Sequence, residues 1–142
     1  MEPVVEGDLS GSVVPGRGLG SELMRDPHVN VRFEEIAGFR LVPGTLNVRL
    51  PGPLVRDERW RFLPSEEVAP DWEERSGQSG YFLADVIVEG AHRALAFQAV
   101  EPEGPGYPPD QVELLSETHL RNALELVDGD LVAVSLRDRD GS

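Results

Sequence analysis

The stretch from Tyr81 to Val100, YFLADVIVEGAHRALAFQAV, limits the fold more than any other part of the chain. Two apolar runs of strand length flank Glu89-Gly90-Ala91, and this pattern reads most simply as a β-hairpin. The other candidate strands are short and closely spaced: Leu9 to Val14, Gly44 to Leu50, RWRFL with Trp60 and Phe62 on one side, QVELL, and LVAVSL. Two helices interrupt them. DPHVNVRFEEIAGF takes Asp26 as N-cap, Pro27 as its first helical residue and Gly38 just past its end, with Val29, Phe33, Ile36 and Ala37 on one face. SETHLRNALEL forms a shorter helix with Ser116 as N-cap and Leu120, Ala123 and Leu124 on its buried face. The elements lie too close together for repeated βαβ units. The expected fold is therefore mostly β, a small six-stranded barrel with two short helices packed on it.

With 142 residues the chain is sized for one domain, taken as 1–142 with a core over about 7–137, and it can bury a core without covalent staples. It contains no cysteine, which excludes disulfides and thiolate metal sites. The formal charge is −13, and such a surface repels a phosphate backbone, so no nucleic-acid partner is expected. A small nucleotide is still admissible, because a local loop and a magnesium ion can neutralise a triphosphate. No apolar run has the length of a membrane span, and MEPVVEGDLS carries no targeting signature. A cytoplasmic, monomeric protein with no membrane partner is expected.

Three segments have chemical potential. In Gly16-Arg17-Gly18-Leu19-Gly20-Ser21, alternating glycines allow a backbone to turn its N–H groups toward one anion, and Arg17 and Ser21 add donors. Read in isolation, a plain flexible loop is the simpler account, since the Lys-Ser/Thr ending of a P-loop is missing. In PGTLNVRL, Thr45 and Asn47 project from one strand face while Leu46, Val48 and Leu50 project from the other. A hydroxyl and an amide oxygen are hard donors suited to magnesium, provided a nucleotide supplies most of the negative charge. On spacing alone, Thr45 starting the strand and Asn47 bonding a nearby loop is preferred. The third segment is Glu113 followed by Thr118, His119, Leu120 and Arg121. There a carboxylate at a strand end is placed to orient or deprotonate a hydroxyl, and an arginine to reach a phosphate or a base edge. The simpler account is a solvated carboxylate and a surface arginine. Asp128-Gly129-Asp130 is read as a tight turn. His28, His92 and His119 lack metal-ligand spacing.

In this order the segments resemble the archaeal CTP-dependent riboflavin kinase family. The likeness rests on GSVVPGRGLGS, IAGFRLVPGTLNVRL and LRNALELVDGDLVAV, and it covers most of residues 9 to 136. It implies a cradle-loop barrel that transfers the γ-phosphoryl group of CTP to the primary alcohol of riboflavin, giving FMN. It also implies that Gly16 to Ser21 and Thr118 to Arg121 contact the nucleotide, that Thr45 and Asn47 bind Mg2+, and that Glu113 contacts the flavin. Glu113 is then the candidate catalytic group. One departure is clear: members carry a threonine-containing stretch with a nearby histidine before the glutamate strand, and here the region reads EPEGPGYPPD. Tyr107 is placed there to stack on an aromatic acceptor. The departure keeps two alternatives open, a different small alcohol such as a nucleoside or polyol, and a non-catalytic nucleotide- or flavin-binding barrel.

Overall fold

In the computed structural model, which describes residues 9–15, 27–42, 45–64, 80–100 and 108–137, the hairpin at Glu89 forms as the sequence predicts. The strands in chain order are β1 (Gly11–Val14), β2 (Leu46–Arg49), β3 (Arg61–Pro64), β4 (Gly80–Val88), β5 (His92–Val100), β6 (Gln111–Ser116), β7 (Leu131–Val132) and β8 (Val134–Leu136). The helices are α1 (Pro27–Ala37) and α2 (Leu120–Ala123). β4 and β5 pair antiparallel from Gly80↔Val100 to Val88↔His92. Their connection is possible because Glu89 and Gly90 both take positive φ, 51° and 68°, and the Ala91 N–H closes on the Val88 carbonyl at 3.1 Å.

All eight strands share one sheet, in the order β3-β4-β5-β6-β2-β1-β7, with β8 on β4. The sheet has eight strands where a six-stranded barrel was expected. All seven segments read as strands form, RWRFL giving the edge strand β3 on β4, and the eighth arises because LVAVSL is two strands, broken at Ala133. β7 pairs with β1 while β8 pairs with β4, so the chain passes from one side of the sheet to the other across a single residue. The Ala133 carbonyl accepts from the Glu89 N–H at 2.7 Å instead of joining either ladder. The sheet curls around an apolar core but is not closed by ladder hydrogen bonds at this point.

Alternation along the strands divides the apolar residues into two clusters. Leu46 and Val48 of β2, Ala84 and Val86 of β4, Ala94 and Ala96 of β5, and Val112 and Leu114 of β6 face an inner core that also takes in Trp60. The opposite face presents Leu83, Leu95, Phe97 and Leu115, and α1 covers it with Val29 and Phe33. Phe33, Tyr81 and Phe97 meet edge to face with centroids 5.5 to 6.3 Å apart, a geometry worth about 0.5–1.5 kcal/mol per pair beyond the buried area. Gly11 is fixed by a close approach of strands: a Cβ there would lie 2.1 Å from the Arg49 carbonyl oxygen.

The first helix ends as its sequence dictates. Gly38 takes φ +84°, and its N–H donates to the Glu34 carbonyl at 2.8 Å. Its expected N-cap, Asp26, lies outside the described residues. The second helix is shorter than predicted and is not capped by Ser116, which is the last residue of β6. The Ser116 hydroxyl donates instead to the Arg93 carbonyl at 2.7 Å, and His119 holds the cap position with no side-chain bond. The helix stops early because Glu125 turns left-handed, at φ 51°. The Leu126 N–H then reaches the Arg121 carbonyl and the Glu125 N–H the Asn122 carbonyl, a Schellman ending that sends Leu126 into the core. Leu120 is buried and Leu124 partly so, while Ala123 faces solvent. Asp128-Gly129-Asp130 is a turn, with Gly129 at φ 96° and the Asp130 N–H bonded to the Val127 carbonyl at 3.0 Å.

Candidate active site

β2 and β6 run antiparallel side by side, and their register sets the site. Asn47 stands directly opposite Glu113, and Leu46 opposite Leu114. Because Leu46, Val48, Val112 and Leu114 fill the inner core, the alternate residues Thr45, Asn47, Gln111 and Glu113 come together on the other face. There they form a polar line beside the apolar cluster that α1 covers, with Phe97 of β5 opposite Glu113 on its other flank.

These side chains are out of water and bonded to one another. Glu113 is 2% exposed, Asn47 5% and Gln111 8%. The half-buried Thr45 hydroxyl donates to Glu113 Oε1 at 3.2 Å, and Gln111 Nε2 donates to Asn47 Oδ1 at 3.0 Å. A carboxyl, a hydroxyl and an amide are thus set side by side on one face of two neighbouring strands. This is an all-oxygen donor set with one negative charge, the chemistry that Mg2+ prefers. Among the described residues no three His, Cys, Asp or Glu side chains gather as a metal cluster, so a cation here must draw on neutral oxygens or on a substrate's own.

The second candidate segment adjoins the first. Thr45, Ser116 and residues Thr118 to Arg121 line one narrow pocket at the C-terminal end of β6. Thr118 and His119 are exposed, and the Leu120 side chain belongs to the inner core. Arg121 pairs with Asp128 at 3.0 Å on the surface. Between them, Glu117 is held by Arg93 at 2.8 Å, and the guanidinium keeps the Glu117 carboxyl below its ordinary value. The loop from Gly16 to Ser21, with Arg17, Gly18, Leu19 and Gly20 between, and Tyr107 both lie outside the described residues.

Three contributors escaped the sequence reading. Gln111 lies two residues before Glu113 on the same strand face, and that spacing was the available signal. Gln98 is buried, and its Nε2 donates to the Gln111 carbonyl at 2.9 Å and the Pro109 carbonyl at 3.3 Å. Arg56 donates to Gln98 Oε1 at 2.6 Å and lies 3.9 Å over the Phe82 ring, with burial pushing its guanidinium pKa down. Together with Leu50 and Leu54, whose N–H groups donate to the Asp110 and Pro109 carbonyls, these residues tie the end of the proline-rich stretch to β6.

Comparison with known proteins shows the family. The model of the CTP-dependent riboflavin kinase family, described as a domain of unknown function, DUF120, matches residues 13–136. A riboflavin kinase of Methanococcoides burtonii is 37% identical over 136 residues, covering 93% of this chain and 58% of the relative. One of Methanosarcina mazei is 35% identical over 133 residues, covering 92% and 56%. One of Methanopyrus kandleri is 32% identical over 130 residues, covering 89% and 80%. The chain thus spans a little over half the length of the first two relatives and four fifths of the third. With a family model matching most of its length and relatives at 32–37% identity over about nine tenths of it, the chain belongs to the CTP-dependent riboflavin kinase family.

Proposed function

We propose that the protein transfers the γ-phosphoryl group of CTP to the primary alcohol of riboflavin, yielding FMN and CDP. The observation that carries this reading is the meeting of Thr45, Asn47 and Glu113 across the β2–β6 ladder, beside a pocket that continues to Thr118–Arg121. Phosphoryl transfer asks mainly for positioning and charge neutralisation, and a polar side-chain set next to a narrow polar pocket offers groups for both. Thr45 and Asn47 hold Mg2+ here, which when bound neutralises charge on the triphosphate oxygens. Thr118 to Arg121 contact the nucleotide, with the Gly16–Ser21 loop as a second phosphate-binding segment.

Glu113 serves the acceptor. Its carboxylate accepts a hydrogen bond from the alcohol, orients the hydroxyl oxygen toward the γ-phosphorus and takes its proton as the new P–O bond forms and the β–γ bridge breaks. The Thr45 hydroxyl, by donating to Glu113 Oε1, fixes the rotamer from which the carboxylate works. Tyr107 and the rest of the proline-rich stretch shape the acceptor side.

Incubation with each of the four nucleoside triphosphates and Mg2+, with and without riboflavin, tests the reading. FMN formed with CTP supports it. Nucleotide turnover with another alcohol in place of riboflavin would move the acceptor assignment, and absence of nucleotide binding would overturn the kinase reading. The double variant Thr45→Val with Asn47→Leu should lose Mg2+-dependent turnover and keep the fold; retained turnover refutes the metal assignment.

A further inference from the structure

Resting on the reading of Asn47 as a metal ligand, we propose that Gln111 is a positioning residue that sets which end of the Asn47 carboxamide faces the metal. Two side-chain amides can bond in either of two senses: N–H of the first to oxygen of the second, or the reverse. Here Gln111 gives the N–H and Asn47 the oxygen, at 3.0 Å. One lone pair of Asn47 Oδ1 is used, and the other is left for a cation. In the opposite sense the Asn47 NH2 group would bond to Gln111, and the amide oxygen would swing out of the position it now holds.

The surroundings make this bond decisive. Asn47 and Gln111 are 95% and 92% buried, so water does not replace the partner if it is lost. Gln111 is itself fixed. Its N–H donates to the Pro108 carbonyl at 3.3 Å and its carbonyl accepts from Gln98 Nε2 at 2.9 Å. The sense of Gln98 is set in turn by Arg56, which can only donate and takes Gln98 Oε1 at 2.6 Å, leaving the amino group for Gln111. A donor-only arginine, a glutamine of fixed sense and a strand-end carbonyl thus hold the backbone from which Gln111 reaches Asn47. Outer partners of this kind commonly change metal affinity by 10–100-fold when removed.

The test is Mn2+ binding in the presence of CDP, followed by the electron paramagnetic resonance signal of free Mn2+, for the parent, Gln111→Glu, Gln111→Met and Asn47→Leu proteins. Gln111→Glu keeps the size of the side chain and turns a donor into an acceptor. Its added negative charge alone would tighten cation binding, whereas reversal of the Asn47 amide weakens it. We expect Mn2+ binding at least about tenfold weaker, measured well below a melting temperature that the buried carboxylate lowers. Unchanged or tighter binding in Gln111→Glu, while Asn47→Leu loses the ion, overturns the proposal and leaves the metal reading standing. Mn2+ binding that survives Asn47→Leu overturns the metal reading and this proposal with it. Should Gln111→Glu not fold, Gln111→Met decides: several-fold weaker Mn2+ binding by the folded protein supports the role, and parent-like binding refutes it.

Discussion

At its N-terminal end β6 sets Gln111 and Glu113 against Asn47 in near-complete burial, with the half-buried Thr45 bonded to Glu113. Just past its C-terminal end, Glu117, Thr118 and His119 are exposed and lead into a helix of a single turn. Both ends are polar and both carry candidate site residues. They differ in what holds them. At the first end every side chain is fixed by a neighbouring strand and by other buried groups, so geometry there is as rigid as the sheet. At the second, surface ion pairs such as Arg93–Glu117 and Arg121–Asp128 do the holding, and such pairs contribute little and are screened by salt. The division suits the proposed phosphotransfer: on that reading the transfer would take place at the rigid end, and the nucleotide would enter and leave over the looser one.

The sharpest way to break this comparison is Glu113→Gln. The substitution keeps the shape of the side chain and its capacity to accept from Thr45, but removes the negative charge and the ability to take a proton. Turnover of riboflavin to FMN should fall by about 10²–10⁴-fold, with little change in melting temperature. Turnover within a few-fold of the parent would show that the buried carboxylate is structural, and that the rigid end of β6 serves packing alone.

Gln98→Leu probes the rigidity itself. It leaves the Gln111 and Pro109 carbonyls without their donor and Arg56 without its acceptor, all in or near the buried end of the strand. A loss of about 1–3 kcal/mol in urea unfolding is expected, larger than for any single surface pair at the other end. A negligible loss would mean that water replaces these bonds and that the two ends of β6 are held alike.

The same contrast explains what the sequence disclosed. The outward pair Thr45 and Asn47 was legible because alternation on a strand flanked by Leu46, Val48 and Leu50 leaves no other face for it. The hairpin was legible because Glu89-Gly90 interrupts two apolar runs. Gln98 was not, and Gln111 showed only its two-residue spacing from Glu113, since the worth of a buried glutamine depends on which strand lies next to it. The β2–β6 adjacency that gives Gln111 its partner joins residues 64 positions apart. Ser116 misled for a local reason: a serine before an acidic residue and a helical pattern reads as a cap, but the strand beside it offered the Arg93 carbonyl first. The broken last strand was also hidden, because nothing in LVAVSL marks Ala133 as the point where pairing changes from β1 to β4.

The smallest expected effects belong to the exposed end, and a pair of substitutions there separates binding from stability. Arg121 has two possible uses, its surface pair with Asp128 and a nucleotide. Removing the arginine with Arg121→Ala should change stability by no more than about 1 kcal/mol, the value of an exposed pair. The KM for CTP should rise several-fold with kcat nearly unchanged, the pattern left by losing contact that ground and transition states share. Asp128→Asn removes the competing carboxylate and keeps the arginine. It should leave stability as little changed and lower the KM for CTP slightly, because the guanidinium no longer gives up a partner when nucleotide binds. If both substitutions raise KM alike, the pair acts as one unit that shapes the pocket at Thr118–Arg121, and the exposed end of β6 is more ordered by its ion pairs than their accessibility implies. If neither moves KM, Arg121 is a surface residue, and nucleotide contact passes to the remainder of that segment.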